Sequence, residues 1–269
     1  MSAAALTRYT AFALLLSSLC LPAFAQEKKE ETKEATPAFE PHSGQAGKDV
    51  VWVPTPQVVV DKMLDLAKVG PRDYVMDLGS GDGRTVITAA KRGARALGIE
   101  YNPDMVELSK RNAEKEGVTG KASFKKADLF NTDFSRASVI TMFLLPDINL
   151  KLRPKILRLK PGTRIVSNSF DMSDWTTDET VTLTPDVGCD GSWCTAHLWI
   201  VPARVAGSYQ LPQGELVLKQ KFQKLSGTLA AGGKTYALED GNVRGTDVSF
   251  KAGGKAYRGK FDGKTLALR

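Results

Sequence analysis

Asp77-Leu78-Gly79-Ser80-Gly81-Asp82-Gly83-Arg84 is the stretch around which the rest of the 269-residue chain can be ordered. The run Asp73-Tyr74-Val75-Met76 before it reads as a strand, and Thr85-Val86-Ile87-Thr88-Ala89-Ala90-Lys91-Arg92 after it reads as a helix. A strand, a glycine-rich turn and a helix in that order make the crossover that holds nucleotide-type ligands. Three residues without a Cβ let the backbone turn sharply and let a ligand approach it closely. The acids Asp77 and Asp82 suit a ligand with cationic groups better than a pyrophosphate. For these eight residues taken alone, a glycine-rich turn with no ligand is the competing reading.

Upstream, Val51-Trp52-Val53-Pro54-Thr55-Pro56 is extended, because each proline disfavours helix in the residue before it. Thr55 is placed to cap the next helix, with Pro56 at its first position. In that helix Val58, Val59, Met63, Leu64, Leu66 and Ala67 recur at helical spacing, and Gly70-Pro71 ends it. Downstream, Ala96 to Glu100 is a second strand. Its terminal acid falls 23 positions after Asp77, where a βαβ site uses a carboxylate to accept hydrogen bonds from ribose hydroxyls. Asn102-Pro103 opens a helix over 103–116, and Ala122 to Ala127 is a third strand followed by Asp128-Leu129-Phe130. Val139 to Leu145 is a fourth strand ending at Pro146, Leu150 to Leu159 is helical, and Arg164 to Phe170 is a fifth strand. Residues 180–184 and 195–201 form a closing antiparallel pair. The alternation predicts a mostly parallel α/β sheet with helices on both faces, Rossmann-like in class.

The ends of the chain differ in texture. Residues 1–25 carry a positive start at Arg8, an apolar run from Ala11 to Leu21, and a small-x-small site at Ala23-Phe24-Ala25. They predict an export signal cleaved between Ala25 and Gln26 and a periplasmic destination; an uncleaved membrane anchor is the alternative. Residues 26–48, rich in Glu, Lys, Thr and Pro, read as a disordered linker. The catalytic-type domain then spans 49–202. After Pro202 helical periodicity stops, and Leu216-Val217-Leu218, Tyr236-Ala237-Leu238, Val248-Ser249-Phe250 and Tyr257 to Phe261 read as short strands separated by glycines. Residues 203–269 thus form a small antiparallel β module, too small to be securely stable alone and expected to pack on the larger domain. This module holds 12 Lys/Arg against 5 Asp/Glu, equal to the whole chain's net charge of +7. Such a tail suits an acidic partner or an anionic membrane, or is simply a solvated face; no specific nucleic acid is indicated.

The strand-end Asp77 followed by Gly79-x-Gly81-x-Gly83 resembles motif I of the class I S-adenosylmethionine (SAM) methyltransferases. Three further segments sharpen the likeness: Val53-Pro54-Thr55-Pro56, Gly98-Ile99-Glu100-Tyr101-Asn102-Pro103, and Leu152-Arg153-Pro154-Lys155 through Leu159-Lys160-Pro161-Gly162-Thr163-Arg164-Ile165-Val166-Ser167. Over residues 50–202 the chain is similar to a group of bacterial proteins and mitochondrial lysine methyltransferases that act on the ATP synthase c-subunit and the adenine nucleotide translocase. The resemblance implies SAM as cofactor and a seven-stranded sheet in the order 3-2-1-4-5-7-6. It implies Gly79, Gly81 and Gly83, with Ser80, as the floor under the amino-acid end of SAM. Asp77 and Asp82 would face its cationic groups, Glu100 its ribose, and Asp128 with Leu129 its adenine; Thr55 and Asn102 complete the cofactor-binding set.

For the acceptor, Phe143-Leu144-Leu145-Pro146 follows the fourth strand, where enzymes that methylate nucleobase or glutamine nitrogens often carry Asn/Asp-Pro-Pro-Tyr. An apolar slot there suits a lysine amine, whose neutral form it favours. Phe143, Pro146, Asp171 and Trp175 are the acceptor-site candidates, Asp171 and Asp174 for a cationic substrate; each is equally readable as packing or loop capping. The favoured function is methyl transfer to a protein lysine. A small-molecule acceptor, or an exported SAM-binding protein without turnover, are the alternatives. With three Cys and two His in the chain, and Cys189 and Cys194 five apart, no metal site is expected. Those two cysteines bound a loop turned by Asp190-Gly191; they predict a disulfide in an oxidising compartment and free thiols in the cytosol.

Overall fold

The computed structural model of the protein describes residues 39–269; the export-type segment 1–25 and most of the expected linker lie outside the described residues. The first sheet comprises β1 (Tyr74–Leu78), β2 (Arg95–Glu100), β3 (Ala122–Lys126), β4 (Val139–Met142), β5 (Arg164–Asn168), β6 (Glu179–Thr182) and β7 (Thr195–Ile200). The order across it is β3-β2-β1-β4-β5-β7-β6, as the resemblance implied. β1 to β5 run parallel, and β7 runs antiparallel to both β5 and β6. The helices are α1 (Gln57–Leu66), α2 (Arg84–Lys91), α3 (Pro103–Lys115) and α4 (Pro146–Ile156).

Successive side chains in a strand point to opposite faces, so a sheet covered on both sides needs apolar residues at consecutive positions. β1 illustrates this: Val75 joins the core beneath α1, α2 and α3, and Met76 joins the core beneath α4. Val59, Val60, Met63 and Leu64 form the buried stripe of α1, and each contributes roughly 1.5–3 kcal/mol on leaving water. Below the sheet, the Arg164 guanidinium joins the Asp73 carboxylate to the Ala67 carbonyl, tying β5, β1 and the end of α1 together.

Two boundaries differ from the sequence reading in ways that matter for the site. β4 stops at Met142 and α4 starts at Pro146, four residues earlier than expected, because proline is well suited to a first helical position. Phe143, Leu144 and Leu145 therefore form a turn at the sheet edge rather than the end of a strand. Thr55 does not cap α1: the N-cap position is Pro56, without a side-chain hydrogen bond.

The described end of the stretch expected to be a linker is folded. Residues 42–52 double back, with Gln45 N–H donating to His42 O, Gly44 N–H to Trp52 O (2.8 Å) and Trp52 N–H to Gln45 O (2.9 Å). The polar composition of this strap reads as disorder. Backbone pairing and an ion pair from Lys48, described below, place it against the large domain.

The second sheet contains β8 (Gly207–Leu211), β9 (Gly214–Lys221), β10 (Lys224–Ala231), β11 (Lys234–Ala237), β12 (Glu239–Arg244), β13 (Asp247–Ala252), β14 (Lys255–Phe261) and β15 (Leu266–Leu268). It is antiparallel, in the order β15-β14-β13-β12-β10-β9-β8, with β11 paired to β10. It curls strongly enough to bring Tyr209 of β8 within 6.4 Å of Phe261 on β14. Its own core includes Leu216, Leu218, Leu229, Val243, Val248 and Phe250. It packs on the larger domain: Phe222 stacks on Trp175 at 5.9 Å, and Gln223 Nε2 donates to Thr176 O.

Candidate active site

The carboxyl ends of β1, β2 and β4 open into one cleft, bordered by the strap at residues 47–55. Parallel α/β sheets place ligands at this edge. Thr55, Asp77, Gly79, Ser80, Gly81, Asp82, Glu100, Asn102, Asp128 and Leu129 all line it. Gly83 does not. It is the N-cap of α2 at φ +85°, and a Cβ there would sit 2.8 Å from the Phe124 ring, so its role is to bring α2 close to the sheet.

The glycine loop is pinned from several sides. Gly81 N–H donates to Glu100 Oε2 (3.0 Å), and Ser109 Oγ donates to Gly81 O (2.7 Å). Asn112 Nδ2 donates to Asp82 O. Gly81 itself sits at φ +53°, and a Cβ on it would lie 2.4 Å from the Trp52 indole nitrogen. The second oxygen of Glu100 accepts from the N–H groups of Tyr101 (2.8 Å) and Asn102 (2.9 Å), while the Asn102 side chain caps α3. Glu100 thus joins the glycine loop to the start of α3 while its carboxylate borders the cleft.

The charges in the cleft are not equivalent. Arg84 forms a two-pronged pair with Asp82, with Nη2 2.6 Å from Oδ2. Lys48 Nζ sits 2.7 Å from Asp128 Oδ2 and over the Tyr101 ring at 4.9 Å. That hydrogen bond holds the Asp128 carboxyl below its usual range. Asp77 has no cationic partner among the described residues. It is 5% exposed and accepts one hydrogen bond, from Thr141 Oγ1 at 2.5 Å. Burial pushes its pKa up to about 7; Thr141 pulls the other way, and the charges of Glu100 and Asp82 add to the rise. Ser80 Oγ is buried without a hydrogen-bond partner among the described residues.

These features fit SAM. A buried acid lacking a counter-charge, beside a loop with an unsatisfied hydroxyl, suits a cationic polar ligand. Asp77, Ser80 and the loop backbone would hold its amino-acid end, Glu100 its ribose, and Asp128 with Leu129 its adenine.

The sequence-predicted acceptor residues separate. Phe143 lines the cleft. Pro146 is used as the exposed first residue of α4. Asp171 is exposed and accepts from Ser173 N–H at 3.0 Å, so it caps its own turn. Asp174 is paired with Arg153 and Lys221. Trp175 is not an acceptor wall: it is fully buried between Trp199 (6.2 Å) and Phe222 (5.9 Å), because the second sheet packs over it. Trp193 and Phe170 were missed. They meet Phe143 in a mutual cluster, with Trp193 at 5.5 Å from each of the other two rings. Trp193 lies in the loop closed by a Cys189–Cys194 disulfide with Cα atoms 5.8 Å apart, the bond expected for an oxidising compartment. A tryptophan between two neighbouring cysteines was the available signal. Trp52, Lys48 and Tyr101 were also missed, and only the position of Trp52 beside Pro54-Thr55-Pro56 hinted at a role.

A family model described as the ANTKMT methyltransferase domain matches residues 77–179. A protein-lysine N-methyltransferase of Saccharolobus islandicus (strain REY15A) is 48% identical over 135 residues, covering 49% of this chain and 84% of that protein. The chain belongs to this family of SAM-dependent methyltransferases. The human lysine N-methyltransferase named for the ATP synthase c-subunit is 42% identical over 108 residues, covering 40% of this chain and 46% of that protein. The chain spans about half the length of the relatives of that name it matches in human, rat and mouse. A crystal structure described as an RNA methyltransferase from Salinibacter ruber, in complex with S-adenosyl-L-homocysteine, is 46% identical with a TM-score of 0.52. The match covers 57% of this chain and 96% of that one.

Proposed function

We propose that this methyltransferase modifies the side-chain amine of a lysine in a protein acceptor. The observation that carries the reading is the β4–α4 turn: the cleft is walled there by Phe143 and Leu144, with no polar side chain to hold a planar amide or base. Two of the family members named above are called lysine methyltransferases. Lysine is nucleophilic only when neutral, and an apolar, poorly hydrated slot lowers its pKa. The amine's lone pair forms the new C–N bond as the C–S bond breaks, the bonding electrons leave on sulfur, and the amine's extra proton goes to solvent. SAM supplies the activated methyl group. The chain supplies alignment and desolvation, which can carry much of the rate for an in-line displacement.

A second reading, methylation of RNA, draws on the name of the Salinibacter ruber protein. Tritium-labelled SAM, the full chain, and extracts containing protein and RNA separate the two. Label sensitive to protease and resistant to ribonuclease supports the lysine reading; the opposite pattern overturns it. Label in a low-mass fraction would identify the small-molecule alternative, and no transfer at all a binding protein.

The Cys189–Cys194 disulfide and the sequence of residues 1–25 support export to an oxidising compartment, testable by amino-terminal sequencing of the secreted chain for a start at Gln26. Lys221, Lys224, Asn242, Ser249 and Arg258 align in one row across the second sheet, its three basic members exposed. This row supports contact with an acidic partner or anionic membrane. Salt-sensitive flotation with anionic vesicles, and none with neutral ones, is the membrane outcome.

A further inference from the structure

Three aromatic rings from three adjacent strands meet at one edge of the large sheet. Phe143 follows β4, Phe170 follows β5, and Trp193 precedes the antiparallel β7, so all three emerge at the carboxyl edge of the parallel strands. This edge lies on the far side of β1 from Glu100 and Asp128. If Glu100 and Asp128 held the nucleoside of the cofactor, its reactive end would face β4, and the acceptor would approach from there. Phe143 is shared: it lines the cleft and touches both other rings.

Each of the other two rings is fixed by its own restraint. Phe170 sits in a turn whose Ser169 adopts φ +58°, a conformation a non-glycine residue keeps only when its surroundings enforce it. Asn149 Nδ2, buried in α4, donates to the carbonyls of Phe170 (3.3 Å) and Asp171 (3.1 Å), and Ser167 Oγ donates to Phe170 O at 2.7 Å. Trp193 is held by the disulfide, whose two cysteines are buried in the core beneath α1 and α2. Trp193 remains 36% exposed despite these contacts. Leu145, two residues beyond Phe143, is also exposed, at 40%. The rings pack too closely on one another to enclose a cation; what they offer is a shelf leading into the cleft.

We infer that Trp193, with Phe143 and Phe170, is the surface on which the alkyl stem of the acceptor lysine lies, and that the Cys189–Cys194 disulfide positions it. This rests on the lysine reading above. The disulfide thereby controls acceptor binding and leaves cofactor binding alone, because the loop it closes does not border the cofactor half of the cleft.

The test titrates Nα-acetyl-lysine methylamide into the full chain saturated with S-adenosyl-L-homocysteine and follows the Trp193 indole N–H by NMR, assigned with Trp193→Phe. The lysine amide should shift the Trp193 resonance. Its affinity, measured in every protein by calorimetry, should fall about fivefold in Trp193→Ala, the scale of one aromatic contact, and recover largely in Trp193→Phe. Cys189→Ser/Cys194→Ser, and wild type under reductant, should lose affinity similarly, with SAM affinity within about twofold of wild type as the control for folding. Equal lysine-amide affinity in wild type and Trp193→Ala overturns the inference and leaves the lysine reading standing. Absence of any lysine-amide binding to wild type overturns both. An unchanged affinity in the double cysteine variant removes the disulfide from the account.

Discussion

The unpaired Asp77 makes cofactor affinity depend on pH in a calculable way. Its pKa in the free protein is about 7. A cationic ligand beside it favours the ionised form, so binding at lower pH must first displace a proton. For a bound-state pKa well below 6, the apparent dissociation constant scales as one plus the protonated-to-ionised ratio. Relative to fully ionised protein, binding is about 11-fold weaker at pH 6 and about 1.1-fold weaker at pH 8, roughly a tenfold span. Calorimetry with SAM between pH 6 and 8, in buffers of different ionisation heat, should show tighter binding as pH rises from 6 and net proton release from Asp77 at pH 6. Asp77→Asn should bind more weakly at pH 8 and lose this rise, keeping only the slope that the ligand's own α-amino group contributes. The same shift has a consequence for folding. The folded pKa lies above the unfolded value of about 3.9, so between these values the native state holds more protons and stability falls as pH rises. The penalty is absent below about pH 4, and above pH 7 it reaches about 4 kcal/mol in the ligand-free protein. Asp77→Asn should therefore melt higher than wild type at pH 8 without ligand, and the difference should shrink toward pH 5. A flat affinity profile in wild type, or the same slope in Asp77→Asn, would refute the assignment of an uncompensated charge to this residue.

Other positions carry separate expectations. Trp175→Ala should cost about 3–5 kcal/mol in chemical denaturation as a buried aromatic deletion, with SAM affinity in the folded protein unchanged. A selective loss of acceptor binding there would restore its role as an acceptor wall. Gly81→Ala combines a positive φ with a clash against the Trp52 indole and should weaken SAM binding roughly tenfold; adding Trp52→Ala should recover part of it. Lys48→Met frees Asp128 and should raise SAM affinity by about two- to fivefold, the scale of a partly exposed ion pair. A decrease would mean that Lys48 clamps the strap over the ligand.

The large sheet was legible because its central strands β1, β4 and β5 are buried on both faces and α1 carries an apolar stripe at helical spacing. The β4–α4 boundary was not, because Phe143-Leu144-Leu145 is as apolar as the strand it follows and Pro146 reads equally as a stop or a start. In the second sheet, β10 and β12 contain Gly, Ser, Asp and Asn, which lower strand propensity; only cross-strand packing makes them strands. The cofactor half of the cleft was visible because motif I, Glu100 and Asp128 lie at fixed distances along consecutive βα units. Of the proposed acceptor shelf only Phe143 was, because Phe170 and Trp193 come from distant stretches and meet it only through strand order. Trp175 looked suitable for want of any sequence sign that the second sheet would cover it. Lys48 was hidden in a segment whose composition resembles a linker.

The most direct measurement is amino-acid analysis of acceptor protein after turnover with tritium-labelled SAM, comparing wild type with Glu100→Ala. Counts eluting as N-methylated lysine with wild type, and lost with Glu100→Ala, are the predicted result. Label on any other residue or on nucleotides, or full activity in the variant, would contradict lysine methylation at this cleft.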